Sequence, residues 1–262
     1  MNRFQRSSRI LVSAGLSLLL LCLSLPAFAK TLGEDPELFR LFVQNRYDVV
    51  IRMGDECKNQ TIGNAELRTV PEKGTPFQQM AAGNKRFADL LINLSHAVTA
   101  YPPEFFSRFQ PALRFWLADQ VFVDGRKAAG CFAYADGQYE IALSRLDSDE
   151  GSPHHEIWHA MEHRILAQEP DAFDRWNQLN PEGFAYTGDF SVMETDDSRL
   201  EPEDWFVDEY AKVDEEEDRA MIFRAMMTKD AAWWSTRPHL RKKAEFLKEK
   251  AEPVFGTIFA GE

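Results

Sequence analysis

Residues 129–168 read AGCFAYADGQYEIALSRLDSDEGSPHHEIWHAMEHRILAQ, and this stretch decides the fold class. Two runs, Ala129–Ala135 and Gln138–Leu143, flank the dipeptide Asp136-Gly137. Both residues of that pair tolerate the positive φ of a tight turn, so the runs predict an antiparallel hairpin. Side chains alternate along a strand, which puts Tyr139, Ile141 and Leu143 on one face. The period then changes. Ser152-Pro153 offers an N-cap and a first-turn proline, and a helix is expected from there to about Gln168, before Glu169-Pro170.

That helix carries His154-His155-Glu156-Ile157-Trp158-His159-Ala160-Met161-Glu162-His163. Within it is H-E-x-x-H. Histidines at i and i+4 stand one turn apart on one face, so both imidazoles can reach one metal ion. Glu156 stands beside them, placed to take a proton from a metal-activated water and return it to a leaving amine. Ligand type argues for Zn2+; manganese or cobalt suits the same donors. The competing structural reading is a histidine-rich surface helix on which Trp158 and Met161 merely pack. A second chemical alternative shares His159: His159-Ala160-Met161-Glu162-His163 is also H-x-x-E-H, the inverted zincin motif. Arg164 follows that pair directly, as at a helix end coming to the surface.

Working outward, Glu37–Met53 combines a short amphipathic helix with Tyr47–Ile51 as a strand. Phe87, Leu90, Leu91, Leu94 and Val98 recur at helical spacing and predict a helix over 77–100, stopped by Pro102-Pro103. Leu113–Val123 is apolar, with its second half expected as strand. Residues 170–206 read as loop with short helical pieces. Helices are expected over Glu216 to about Lys229 and Pro238 to about Glu252, and Trp205, Trp233 and Trp234 as packing residues. Strands preceding helices in this order indicate an α+β fold, a small mixed or antiparallel sheet packed on helices.

Two histidines need a third protein ligand. No histidine stands at metzincin spacing, and His239 is far downstream beside Pro238. The acidic run Asp214-Glu215-Glu216-Glu217-Asp218 opens a helix, so a carboxylate from it is expected. On spacing alone, Glu217 reads equally as a ligand or as part of a cap headed by Asp214; Glu216 is a further alternative ligand.

Phe206-Val207-Asp208-Glu209-Tyr210-Ala211, then Glu217-Asp218-Arg219-Ala220, resembles the downstream signature of gluzincin-type zinc metallopeptidases similar to the anthrax lethal factor catalytic domain. Asn180-Pro181-Glu182-Gly183-Phe184-Ala185-Tyr186 resembles that family's N-P-x-G-F-x-Y segment, and the likeness spans about residues 110–230. The resemblance implies a zincin-like domain in which Glu217 completes a metal site with His155 and His159. It makes Glu156 the general base and Tyr210 the donor to the oxyanion. It also implies an edge strand, expected as Gln138–Leu143, that pairs with extended substrate. The family's second glutamate is Met221 here. That glutamate supports the metal site, so its loss is expected to weaken the site unless Asp218 or Glu194 substitutes.

The chain ends and totals bound the setting. Arg3, Arg6 and Arg9, an apolar run from Ile10 to Leu25, and Ala27-Phe28-Ala29 read as a signal peptide over 1–29. An uncleaved anchor is the alternative, and the apolar run is short for one. Leu20-Leu21 before Cys22 argue against lipidation. Cleavage would leave 233 of the 262 residues as one domain, with its catalytic part at about 110–230, exported to the periplasm or secreted. Removing three arginines takes the net charge from −12 to −15. Such a surface argues against nucleic acid or an anionic membrane as partner; the metallopeptidase reading implies a protein or peptide substrate. Cys57 and Cys131 remain, either bridged or as separate thiols. The function expected is peptide-bond hydrolysis. Its rivals are a zincin-like fold that binds without catalysis and the inverted zincin.

Overall fold

The computed structural model describes residues 36–70, 87–192 and 204–258. The signal-peptide reading, Glu194 and most of the first half of the expected 77–100 helix lie outside them. Among the described residues the architecture is mixed α and β, with six α-helices and two four-stranded sheets. No helix there is long and apolar enough to cross a membrane.

The first sheet holds β1 (Val50–Met53), β4 (Arg114–Ala118), β8 (Gln138–Ser144) and β7 (Gly130–Ala135), in the order β1-β4-β8-β7. β1, β4 and β8 run parallel, and β7 returns antiparallel to β8. The expected hairpin is present: Asp136 and Gly137 have φ of 51° and 77°, as a turn with two left-handed residues requires. The second sheet is antiparallel, with β2 (Thr61–Ile62), β3 (Ala65–Arg68), β5 (Gln120–Val123) and β6 (Arg126–Ala128).

Several expectations need correction. Tyr47 closes helix α1 (Pro36–Tyr47), and the strand starts only at Val50. Both halves of Leu113–Val123 are strand, but they belong to different sheets. Between them sits buried Asp119, whose carboxylate accepts from the Val70 backbone N–H at 2.7 Å and Arg145 Nε at 2.9 Å. Finally, Gln138–Leu143 is not an edge. β8 lies between β4 and β7, with Tyr139, Ile141 and Leu143 in the main core and Ala142 in a smaller core against the second sheet. The edges are β1 and β7, and β7 is the edge strand next to Gln138–Leu143.

Helix α2 (Ala88–Thr99) and helix α3 (Ser152–Leu166) pack against the first sheet's core. Helix α4 (Glu215–Thr228), α5 (Ala231–Ser235) and α6 (Pro238–Phe255) follow. Ile157, Trp158, Ala160 and Met161 of α3 are fully buried. Complete burial of each large side chain contributes about 1.5–3 kcal/mol, which holds α3 in the interior. The surface-helix reading therefore fails. Trp205, Trp233 and Trp234 pack against the same core, as expected.

Ser152 is not the N-cap of α3 either. Gly151 occupies that position, and Asp149 does the capping chemistry. Its Oδ1 accepts from the backbone N–H of Gly151 and Ser152 and from the Ser152 hydroxyl, each at 2.9 Å. Cys57 and Cys131 are free thiols, not a disulfide, and burial pushes the Cys57 thiol up to about 12.

Candidate metal centre

α3 brings His155 and His159 to one face, and their Nε2 atoms lie 3.1 Å apart. α4 supplies the third group. Glu217 Oε2 lies 2.9 Å from Nε2 of His155 and 3.6 Å from Nε2 of His159. Among the described residues this is the one set of three or more His, Cys, Asp or Glu side chains whose ligand atoms converge within reach of a single ion. Three vertices of a tetrahedron with bonds of about 2.0–2.1 Å stand about 3.3 Å apart. The observed separations bracket that value. Glu217 Oε2 is also buried without a hydrogen-bond partner. An acceptor left so beside two imidazoles fits a cation between them.

The ligand and cap readings of Glu217 turn out to be compatible. Asp214 is the N-cap, and its Oδ1 accepts from the Glu217 backbone N–H at 2.8 Å. The Glu217 side chain turns the other way, toward the histidines. Burial works to raise its pKa, but the two imidazoles outweigh it and hold the carboxyl well below its ordinary range. Burial likewise works to lower His159. The Glu217 carboxylate, with Glu156 and Glu162 adding, reverses this and raises His159 from 6.5 to about 10.

Glu156 is buried between α3 and the edge strand. It lies against Gly130: a Cβ built there would stand 2.7 Å from Glu156 Cγ and Oε1. Tyr210 begins a 3-10 turn ahead of α4, and its ring centre lies 6.2 Å from that of His155. His155, His159, Glu217, Glu156 and Tyr210 therefore gather in one place.

The other expected participants do not. His154 points away and shares a 2.9 Å hydrogen bond with Tyr101; burial, with Arg224 adding, lowers it to about 4 and keeps it neutral. His163 lies among Tyr134, Tyr139 and Phe132. Glu162 is committed elsewhere, accepting from Trp158 Nε1 at 2.8 Å and from Arg219 Nε at 2.9 Å. The inverted motif thus has neither a free base nor converging ligands. His239 stacks on Trp205, with ring centres 3.6 Å apart.

Asp218 does not replace the missing glutamate. Its Oδ2 accepts from Lys243 Nζ at 2.7 Å, Tyr186 OH at 2.8 Å and Trp176 Nε1 at 3.1 Å. His155 Nδ1 is buried with no hydrogen-bond partner. Sequence reasoning missed Gly130, Arg219 and Lys243; Arg219, two residues after Glu217, was the only one with a positional signal.

No family model, curated protein or solved structure matches the chain.

Proposed function

We propose that this chain is a zincin-like, gluzincin-type zinc metallopeptidase that hydrolyses peptide bonds of a protein or peptide outside the cytoplasm. One observation carries the reading. A carboxylate from a separate helix, Glu217, comes within 3.6 Å of both imidazoles of an H-E-x-x-H pair. Neither the histidine spacing nor the acidic run alone demands that meeting.

His155, His159 and Glu217 would hold the metal. Zinc, when bound, supplies the Lewis acidity that activates water and polarises a carbonyl. Glu156 accepts the proton of the attacking water at its carboxylate and delivers it to the leaving amine. Gly130 leaves the room in which that carboxylate sits. Tyr210 donates its hydroxyl to the oxygen on which negative charge develops, at a value of about 3–4 kcal/mol for such a donor. In the resembled family an edge strand beside the active helix pairs with extended substrate. Here that place falls to β7, whose outer side is open in its sheet.

A second reading, a metal-binding module without catalysis, draws on the partnerless Nδ1 of His155. Glu156→Gln separates the two. The peptidase reading expects zinc retained and hydrolysis lowered by about 10²- to 10⁴-fold. Equal hydrolysis in both proteins removes Glu156 from the chemistry. A zinc-loaded wild type that cleaves no peptide in a broad library leaves the binding module.

A further inference from the structure

Three consecutive residues at the start of α4 point to three different partners. Glu217 faces the histidines. Asp218 faces Lys243, Tyr186 and Trp176. Arg219 faces Glu162 on α3. Successive residues of a helix are about 100° apart, so these three directions are spread around the helix, with gaps of about 100°, 100° and 160°. A helix held on two such sides cannot roll about its axis without breaking one hold. The third side, carrying Glu217, is then fixed in angle.

The Arg219–Glu162 contact ties together the two helices that supply the ligands. Glu162 lies three residues beyond His159, and Arg219 lies two beyond Glu217. Their side chains are 4% and 5% exposed. Arg219 directs both Nε and Nη2 to Glu162 Oε1, and Trp158 Nε1 takes Oε2. The guanidinium also lies over the Phe173 ring at 4.6 Å. Both Glu162 oxygens and Arg219 Nε and Nη2 are thus held by charged hydrogen bonds, which are directional, while Nη1 makes a longer 3.5 Å contact with Glu215.

We propose that Glu162 and Arg219 are positioning residues for the metal centre: their buried ion pair sets the distance and roll of α4 against α3 and so holds Glu217 on His155 and His159. This rests on the zinc reading above. The usual support from a second glutamate is missing at Met221, and His155 Nδ1 has no partner. Ligand placement must then come from the helices themselves.

The test compares wild type, Glu162→Gln and the double variant Glu162→Leu/Arg219→Leu. The double variant replaces the pair by apolar bulk, which a core accepts, while removing the directed contact. Zinc affinity is read by chelator competition, fold by melting of the metal-free proteins, and ligand geometry by the visible spectrum of the cobalt forms. The expected result is a 10- to 100-fold loss of zinc affinity in both variants. The double variant melts somewhat below wild type, because Trp158 Nε1 loses its acceptor, but its affinity loss exceeds what that lower melting accounts for, and its cobalt spectrum moves toward that of Glu217→Ala. Folded variants with wild-type affinity and spectrum overturn the clamp and leave the zinc reading standing. A wild type that binds no zinc overturns both. An affinity loss that only tracks lost melting temperature assigns the pair a structural role and overturns the proposal.

Discussion

Gly130 and Glu156 occupy one space: the position of a Cβ on the glycine lies 2.7 Å from the glutamate's Cγ and 3.0 Å from the Ala142 carbonyl oxygen. The first residue of β7 therefore decides where the carboxylate of Glu156, the proposed general base, can stand. Only a residue without a side chain leaves the carboxylate in place.

Gly130→Ala follows from this. The added methyl has backbone on one side and Glu156 on the other, so the glutamate must move. Overpacking of this kind costs about 1–3 kcal/mol of stability. A base displaced by about 1 Å loses on the order of 10²-fold in rate. Zinc content should stay at the wild-type level, because no ligand is touched. Hydrolysis at the wild-type rate would show that Glu156 has room the structure does not give it.

Asp214 supplies the next prediction. Its carboxylate holds the backbone of Glu217. Asp214→Ala should lower stability by about 1 kcal/mol and weaken zinc retention, because the turn carrying the ligand frays. Asp214→Asn keeps an acceptor at the cap and should restore most of both. Chelator competition on the two variants decides it; equal zinc affinity in Ala and Asn would separate the cap from the site.

The raised pKa of His159 gives a pH dependence. An ordinary histidine near 6.5 is neutral above pH 7.5, so its zinc affinity would level off there. With His159 at about 10, zinc must displace a proton throughout the neutral range. Apparent affinity should rise about tenfold per pH unit from 7 to 9, with about one proton released per zinc, measurable by titration calorimetry in two buffers. A profile flat above pH 7.5 contradicts the pairing with Glu217. The sign for the metal-free fold is opposite. The His159 contribution is fully present below 6.5 and is lost as pH rises through about 10. That of Glu217, whose pKa is depressed, is lost as pH falls through its low folded value.

Much of the site was legible because its signals are local. Asp136-Gly137 dictates its own turn, and histidines four apart on a helix share a face wherever that helix lies. The Glu217 reading needed more. Its place beside Asp214 suggested both cap and ligand, and only the packing of α4 on α3 shows that its backbone meets Asp214 while its side chain turns to the two histidines. Strand order was not legible. β8 is interior because β4, whose residues pair with it 26 positions earlier, lies alongside in parallel, and no turn chemistry announces that partner. Lys243 was hidden for a similar reason. It stands between Lys242 and Ala244 in an amphipathic run, and nothing nearby marks it as fully buried against Asp218. Ser152 drew the cap assignment that Asp149 performs, since a serine before proline is the commoner local signal.

The central claim is that His155, His159 and Glu217 hold one metal ion, and metal content tests it most directly. Protein spanning residues 30–262 and its Glu217→Ala variant are reconstituted with zinc, dialysed and measured by elemental analysis. The account predicts one zinc per chain in the wild type and markedly weaker retention in the variant. Zinc kept equally by both would remove Glu217 from the site, and a wild type that holds none after reconstitution would contradict the account as a whole.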